Sequence, residues 1–308
     1  MIRKIETDSP AFGHLTAVIT ILIWGTTFIS TKVLLTSFTP IEILFCRFII
    51  GFIALNIFYP KRMKIKDRKH ELLFAFAGLC GITLYFLFEN IALTYTLASN
   101  VGVIVAISPF FSGIISALFN KGDKPKLNFY LGFFAAICGI AIISFNDGQG
   151  YSFNPMGDIL AILAAFIWAV YSFITKKIGS YGYNTIQTTR RCFGYGLIFM
   201  IPALFFMDFN ITLDKFSSPQ IIANFLYLGL LASAACFAIW GKTIKILGDV
   251  KTSVYIYLVP VVTVITSVIV LGEKITFQAA LGIILTISGL VLSELKFSRP
   301  CPVKISSK

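Results

Sequence analysis

Among the side chains that carry charge or a primary amide in or beside long apolar runs are Lys32, Glu42, Arg47, Glu89, Asn90, Lys176, Arg190 and Arg191. A charge in hydrocarbon costs at least about 2.5–3.5 kcal/mol, so such groups face a protein interior or a wet cavity. The chemistry they offer is ion pairing, recognition of a charged solute and, at Glu89, proton carriage. Bond-making chemistry lacks its parts. The sequence has no G-x-x-x-x-G-K-[ST] phosphate loop, no H-E-x-x-H and no G-x-S-x-G, and its two histidines are His14 and His70. No catalytic set, cofactor or metal site is expected, and ATP-driven work by this chain alone is disfavoured. Five cysteines sit singly in apolar runs, with Cys301 in the C-terminal tail and no C-x-x-C spacing, so they read as packing residues.

The same residues recur. WGTTFISTK at 24–32 returns as WAVYSFITK at 168–176, and Arg47 returns as Arg191, all at an offset of 144 residues. Farther along the offset becomes 150 or 151: Pro109 answers Pro260, KGDK at 121–124 answers LGEK at 271–274, and Gly132 and Gly139 answer Gly282 and Gly289. Several matches in one order indicate a duplication, with halves at 1–147 and 148–308.

The elements that must position these residues follow from composition. The chain is 57% hydrophobic and only 13% charged, against about a quarter charged in soluble domains. Ten apolar segments, at about 13–35, 40–60, 72–95, 98–120, 127–146, 156–177, 184–206, 219–241, 251–271 and 275–295, are each long enough to cross roughly 30 Å of hydrocarbon. The repeated alternation that a barrel needs is missing, so the expected fold is an all-α integral membrane protein with ten transmembrane helices. The net charge of +12 does not point to nucleic acid, because most basic residues lie in short loops. With the N-terminus inside, 20 Lys and Arg fall in inner segments, against Lys215 and Lys274 in outer loops. That asymmetry predicts a multi-pass membrane protein with both termini inside. The first apolar run is too long for a signal-peptide core and reads as a retained helix. Five helices per half is an odd number, so the second copy runs upside down, as an inverted repeat.

The early WGTTFISTK, the run ALTYTLASNVGVIVAISPFFSGIISALF and the late VYIYLVPVVTVITSVIVLGEKITFQAALGIILTISGLVL carry a resemblance over nearly the whole chain. The sequence resembles the ten-helix EamA-type carriers of the drug/metabolite transporter superfamily. The resemblance implies alternating access to a central cavity between the halves, and substrates such as amino acids, nucleosides or related metabolites.

Depth assigns candidate roles. At 1.5 Å per residue, Lys32 lies near the outer end of the first segment, Glu42 near the outer surface, and Arg47 and Glu89 roughly 10 Å in from the outer ends of theirs. Lys176 lies at the inner end of the sixth segment, and Arg191, with Arg190 beside it, roughly 10 Å from the inner end of the seventh. In one reading Lys32, Glu42, Arg47 and Glu89 form an outer gate and Lys176, Arg190 and Arg191 an inner one. In the other, the lysines snorkel and Arg47–Glu89 is a static salt bridge. Arg190 and Arg191 point about 100° apart and so hold separate roles. Glu89, with Asn90 beside it, either binds a substrate amine, carries a proton, or is a fixed partner of Arg47 or Lys32. Trp24 and Trp168 fall mid-helix with Thr27 and Tyr171 one turn on; they suit a cavity wall or ordinary packing. Tyr85, Ser108, Trp240 and Tyr257 are further candidates for substrate contact. Pro109 and Pro260 interrupt two helices at matched positions, as hinges or as packing kinks. The glycine pairs allow close helix packing, within the chain or in a homodimer. The expected partners are thus a small-molecule substrate and the lipid bilayer. The expected function is secondary export of an amino acid or related metabolite; the rivals are uptake or exchange of a nucleotide-like or anionic metabolite, and a membrane-embedded enzyme.

Overall fold

The computed structural model describes residues 9–65, 67–119, 127–144, 155–247, 252 and 254–294. The 147/148 division, the KGDK stretch and both chain termini lie outside these. Among the described residues the regular structure is entirely helical and forms ten rods. They are α1 (Pro10–Leu34), α2 (Pro40–Phe58), α3 (Arg68–Tyr95), α4 (Ala98–Phe119), α5 (Leu127–Ser144), α6 (Pro155–Ser180), α7 (Thr185–Phe206), α8 (219–247), α9 (254–271) and α10 (Phe277–Glu294). Six of them, α1 to α4, α6 and α8, are long and apolar enough to cross a membrane by themselves, while α5, α9 and α10 are apolar but shorter.

Local sequence explains where the rods start. Ser9 caps α1, its hydroxyl accepting from Phe12 N at 3.3 Å, with Pro10 in the first turn. Thr39 and Glu42 form a full capping box on α2, ahead of which no further turn can grow. Asn184 caps α7 by accepting from Ile186 N and Gln187 N. Gly272, with φ of 67°, closes α9 in the left-handed region that a side chain would resist.

Four rods are irregular in matched pairs. In the third helix of each half, α3 and α8, the hydrogen bonding widens to π-helix at Leu79–Leu84 and Tyr227–Ala235. In the fourth helix of each half, α4 and α9, the rod breaks and restarts, at Ser108–Phe119 and Val259–Thr266. Pro109 and Pro260 each occupy the second position of the restarted segment, where a missing N–H does no harm.

The outer surface differs from that of a water-soluble domain: Phe58, Phe134, Phe205, Phe206 and Ile269 are exposed, while Thr20, Thr31, Glu42, Arg47, Glu89, Asn90 and Ser99 are buried within a largely apolar core. An apolar outer surface is what a hydrocarbon solvent requires.

Glycines set the contacts between helices. A Cβ on Gly132 of α5 would meet the Gly289 carbonyl of α10 at 2.4 Å, and one on Gly139 would meet the Gly282 carbonyl at 2.5 Å. The pairing is antiparallel, and the 150-residue offset exchanges one contact for the other, as an inverted repeat demands. A similar close approach sets Gly51 of α2 against Gly229 of α8 and Gly196 of α7 against Gly78 of α3. These glycine faces are used within the chain, so they do not supply the homodimer surface that the sequence left open.

Candidate substrate cavity

Rings from both halves meet at the centre of the bundle. Trp24 of α1 and Trp168 of α6 pack edge to face, their centroids 6.2 Å apart at 84°. Being equivalent residues of the two repeats, they meet on the axis that relates the halves. Tyr85 lies 4.7 Å from Trp168, and Phe237, close to its counterpart, 5.8 Å from Trp24. The Trp24 indole is pinned by donating from Nε1 to the Ala232 carbonyl at 3.1 Å. Ala232 belongs to the π segment of α8, and such widened turns re-aim backbone groups.

Beside these rings is a small cavity of about 60 Å³. Trp24, Thr27, Phe28, Tyr85, Phe86, Trp168 and Phe237 form its walls. Val105, Ala106 and Ser108 enter from the break in α4, and Ile256 and Val259 from the start of α9. Arg47 and Glu89 are the charged residues of the lining.

Arg47 is 2% exposed and belongs to this cavity more than to an outer gate. Its Nε donates to Ser233 Oγ at 2.8 Å, and its guanidinium lies 4.3 Å from the Phe86 ring centroid. Among the described residues its two terminal nitrogens make no hydrogen bond. Glu89 is 1% exposed; the Tyr85 side chain reaches it from one turn earlier, but its Oε1 has no partner. Arg47 and Glu89 attract through space, yet they form no ion pair within 4.0 Å. The static salt bridge expected between them is therefore not formed.

Four expected contact residues lie off the lining. Asn90 donates from Nδ2 to the Pro40 carbonyl at 3.1 Å and ties α3 to the start of α2. Tyr171 touches Trp168 but lies flat against Gly81, where a Cβ would come within 2.2 Å of its ring. Trp240 stands behind Trp24, centroids 5.1 Å apart. Tyr257 is buried on α9, turned off the wall that Ile256 and Val259 form.

At the end that the charge count puts outside, the expected pairings are replaced. Lys32 donates to the Leu93 carbonyl and, at 2.9 Å, to that of Thr96, at the finish of α3. Glu42 is fully buried and pairs with neither Lys32 nor Arg47. It accepts from Thr39 N and Asn210 N at 2.8 Å each, and from Lys215 Nζ at 3.0 Å. Its capping-box spacing already fixes it at the mouth of α2, within reach of the α7–α8 loop. Glu273 accepts from Ala98 N at 2.8 Å and Ser99 N at 3.2 Å, capping α4.

At the opposite end, Arg191 Nη2 pairs with Glu71 Oε1 at 2.6 Å, and Tyr195 also donates to that oxygen. Arg190 donates instead to the carbonyls of Tyr59 at 2.6 Å and Lys61 at 2.7 Å. Gln187 grips Lys61 O and Arg62 O beside it. Neighbouring arginines on different faces thus hold different targets, and both bridge α7 to the first half. Lys176 is exposed on the last turns of α6.

Sequence reasoning passed over Phe28, Phe86, Phe237 and Ser233 at the cavity, and Glu71, Tyr195, Lys215 and Glu273 at the ends. Two had a signal: Phe28 is one turn after Trp24, and Phe237 nearly shares the repeat offset with Tyr85. The remainder are brought in by tertiary packing.

The EamA-like transporter family matches residues 11–145 and again 155–295, once per half. An uncharacterized transporter of Archaeoglobus fulgidus is 30% identical over 288 residues, covering 92% of this chain and 97% of its own. A probable terminal-alkyne amino-acid exporter of Streptantibioticus cattleyicolor is 27% identical, over 89% of this chain and 91% of its own. A probable amino-acid metabolite efflux pump of Escherichia coli K12 is 25% identical, over 94% and 97%. A known crystal structure shares the fold with a TM-score of 0.65, over 92% of this chain and 96% of the other, at 17% identity. With two matched halves, ten helices and an apolar surface, the chain belongs to the EamA-like transporters of the drug/metabolite transporter superfamily and is a multi-pass membrane transporter.

Proposed function

We propose that this transporter exports an amino acid or a related small metabolite by alternating access, from a bacterial inner membrane in which both termini face the cytoplasm. One observation carries the reading: the aromatic cavity is lined by residues of both repeats, and contacts bridge the halves at both ends of the bundle. Glu42 with Lys215 and Asn210 bridges them on one side, Arg191 with Glu71 and Arg190 with the α2–α3 loop on the other. Opening either end while the other stays closed exposes the cavity to one face at a time. The named activities of two relatives, an amino-acid exporter and an amino-acid metabolite efflux pump, support the cargo class and the direction. A nucleotide-like anion is less well served, because Arg47 faces an acid in the same lining. A membrane-embedded enzyme is disfavoured by relatives named as transporters or exporters.

Purified protein in liposomes preloaded with unlabelled amino acids tests this. The expected result is saturable counterflow of at least one labelled amino acid, absent from empty liposomes. Absence of counterflow across the whole amino-acid set would contradict the cargo assignment.

A further inference from the structure

Arg47 and Glu89 come from adjacent helices of one half, α2 and α3, and both are almost wholly buried in the cavity lining. Each is anchored on one side only. Ser233 fixes Arg47 Nε and Phe86 covers a face of the guanidinium, which leaves the terminal N–H groups unused. Tyr85 lies one turn before Glu89, whose Oε1 is left without a partner. A buried carboxyl oxygen with no hydrogen bond is rare in a finished structure and calls for a ligand. The simplest remedy, direct contact between the two groups, is not taken.

We infer that the two groups form a divided site for a zwitterion, in which Arg47 receives the carboxylate and Glu89 the ammonium of one amino acid. This rests on the export reading above and assigns its substrate contacts. A guanidinium binds a carboxylate through two parallel N–H bonds, and a carboxylate oxygen accepts well from an ammonium. A zwitterion satisfies both ends without bringing net charge into the bundle. A simple acid meets repulsion from Glu89, and a simple amine meets it from Arg47. The third recognition element is the wall of Trp24, Phe28, Trp168 and Phe237, which suits a large apolar or aromatic side chain packed edge to face.

Binding of phenylalanine, phenethylamine and 3-phenylpropionate to the purified full chain, by titration calorimetry, separates the contributions. The amine lacks the carboxylate and the acid lacks the ammonium. Phenylalanine should bind about 10- to 100-fold more tightly than either, the factor expected for losing one charge-assisted hydrogen-bonded contact. Glu89→Gln should weaken phenylalanine while improving 3-phenylpropionate, and Arg47→Gln should weaken phenylalanine while improving phenethylamine. That crossover is not produced by a merely structural role. Wild-type protein that binds either half-ligand as well as phenylalanine, or does not bind phenylalanine, overturns the inference; so does an equal loss of all three ligands in folded variants. Should a variant fail to fold, the three-ligand comparison on wild-type protein still decides. Zwitterion preference without counterflow would overturn the export reading and leave the site standing. Counterflow without that preference would do the opposite.

Discussion

Glu42 shows how one side chain can serve local structure and the joining of the halves together. It closes the capping box of α2, then uses its remaining acceptor capacity on Asn210 N and the Lys215 ammonium from the other repeat. Glu42→Ala removes charged acceptors from buried donors, so it should lower stability by about 1.5–3 kcal/mol, read as a drop in melting temperature of the solubilised protein. Gly81 makes the opposite point, since its value lies in having no side chain. Gly81→Ala would set a Cβ 2.2 Å from the Tyr171 ring, and overpacking of this kind costs about 1–3 kcal/mol. A melting temperature unchanged by that substitution would contradict the packing described. The residues legible in sequence were those that break its apolar pattern or repeat it: Trp24, Trp168, Arg47 and Glu89. Several of their partners were not. Ser233 lies 186 residues from Arg47, and ordinary serines in apolar helices carry no mark of such a role. Glu42 was visible as an intramembrane acid, but its short-range capping role outweighs the pairing that depth alone suggested.

At the scale of elements, hydropathy sets the ten rods to within a few residues, because hydrocarbon thickness fixes their length. Two kinds of irregularity depart from this. The breaks in α4 and α9 were signalled by Pro109 and Pro260, which stand just after each break and bring backbone turns to the cavity. The π segments of α3 and α8 had no signal, since a change from i→i+4 to i→i+5 bonding leaves no compositional trace. They nevertheless hold Ala232 and Ser233, which fix Trp24 and Arg47. The glycine faces of α5 and α10 were legible as close-packing surfaces, while their partner was not. Backbone meets backbone there, so no flexible side chain can yield to a new Cβ. Gly139→Val should cost about 3 kcal/mol or more and reduce the yield of folded monomer. A folded protein changed only in oligomeric state would mean that this face belongs to a contact between chains.

At the scale of the whole molecule, the exchange of Gly132–Gly289 for Gly139–Gly282 and the meeting of Trp24 with Trp168 express one two-fold relation between inverted halves. The two ends are nevertheless held differently. The Glu42 seam, on the proposed outer side, is built on a fully buried carboxylate, whereas Arg191 and Glu71 at the opposite seam are 34% and 28% exposed. Water screens the Arg191–Glu71 pair more, so its separation is the less costly of the two. Lys215→Met should therefore weaken the outer seam, and labelling of a cysteine placed near Phe45 from the outer side should speed up; an unchanged rate would show that the pair does not hold that end shut. The central claim, that each end opens in turn around one cavity, is tested most directly by locking the ends separately. In a cysteine-free background, one pair of cysteines at Thr39 and Asp208 and another at Arg62 and Gln187 are bridged by a short bifunctional thiol reagent, and counterflow of a carried amino acid is followed. Either lock alone should abolish counterflow, and reductive release should restore it; counterflow that persists with both ends locked would contradict alternating access through this cavity.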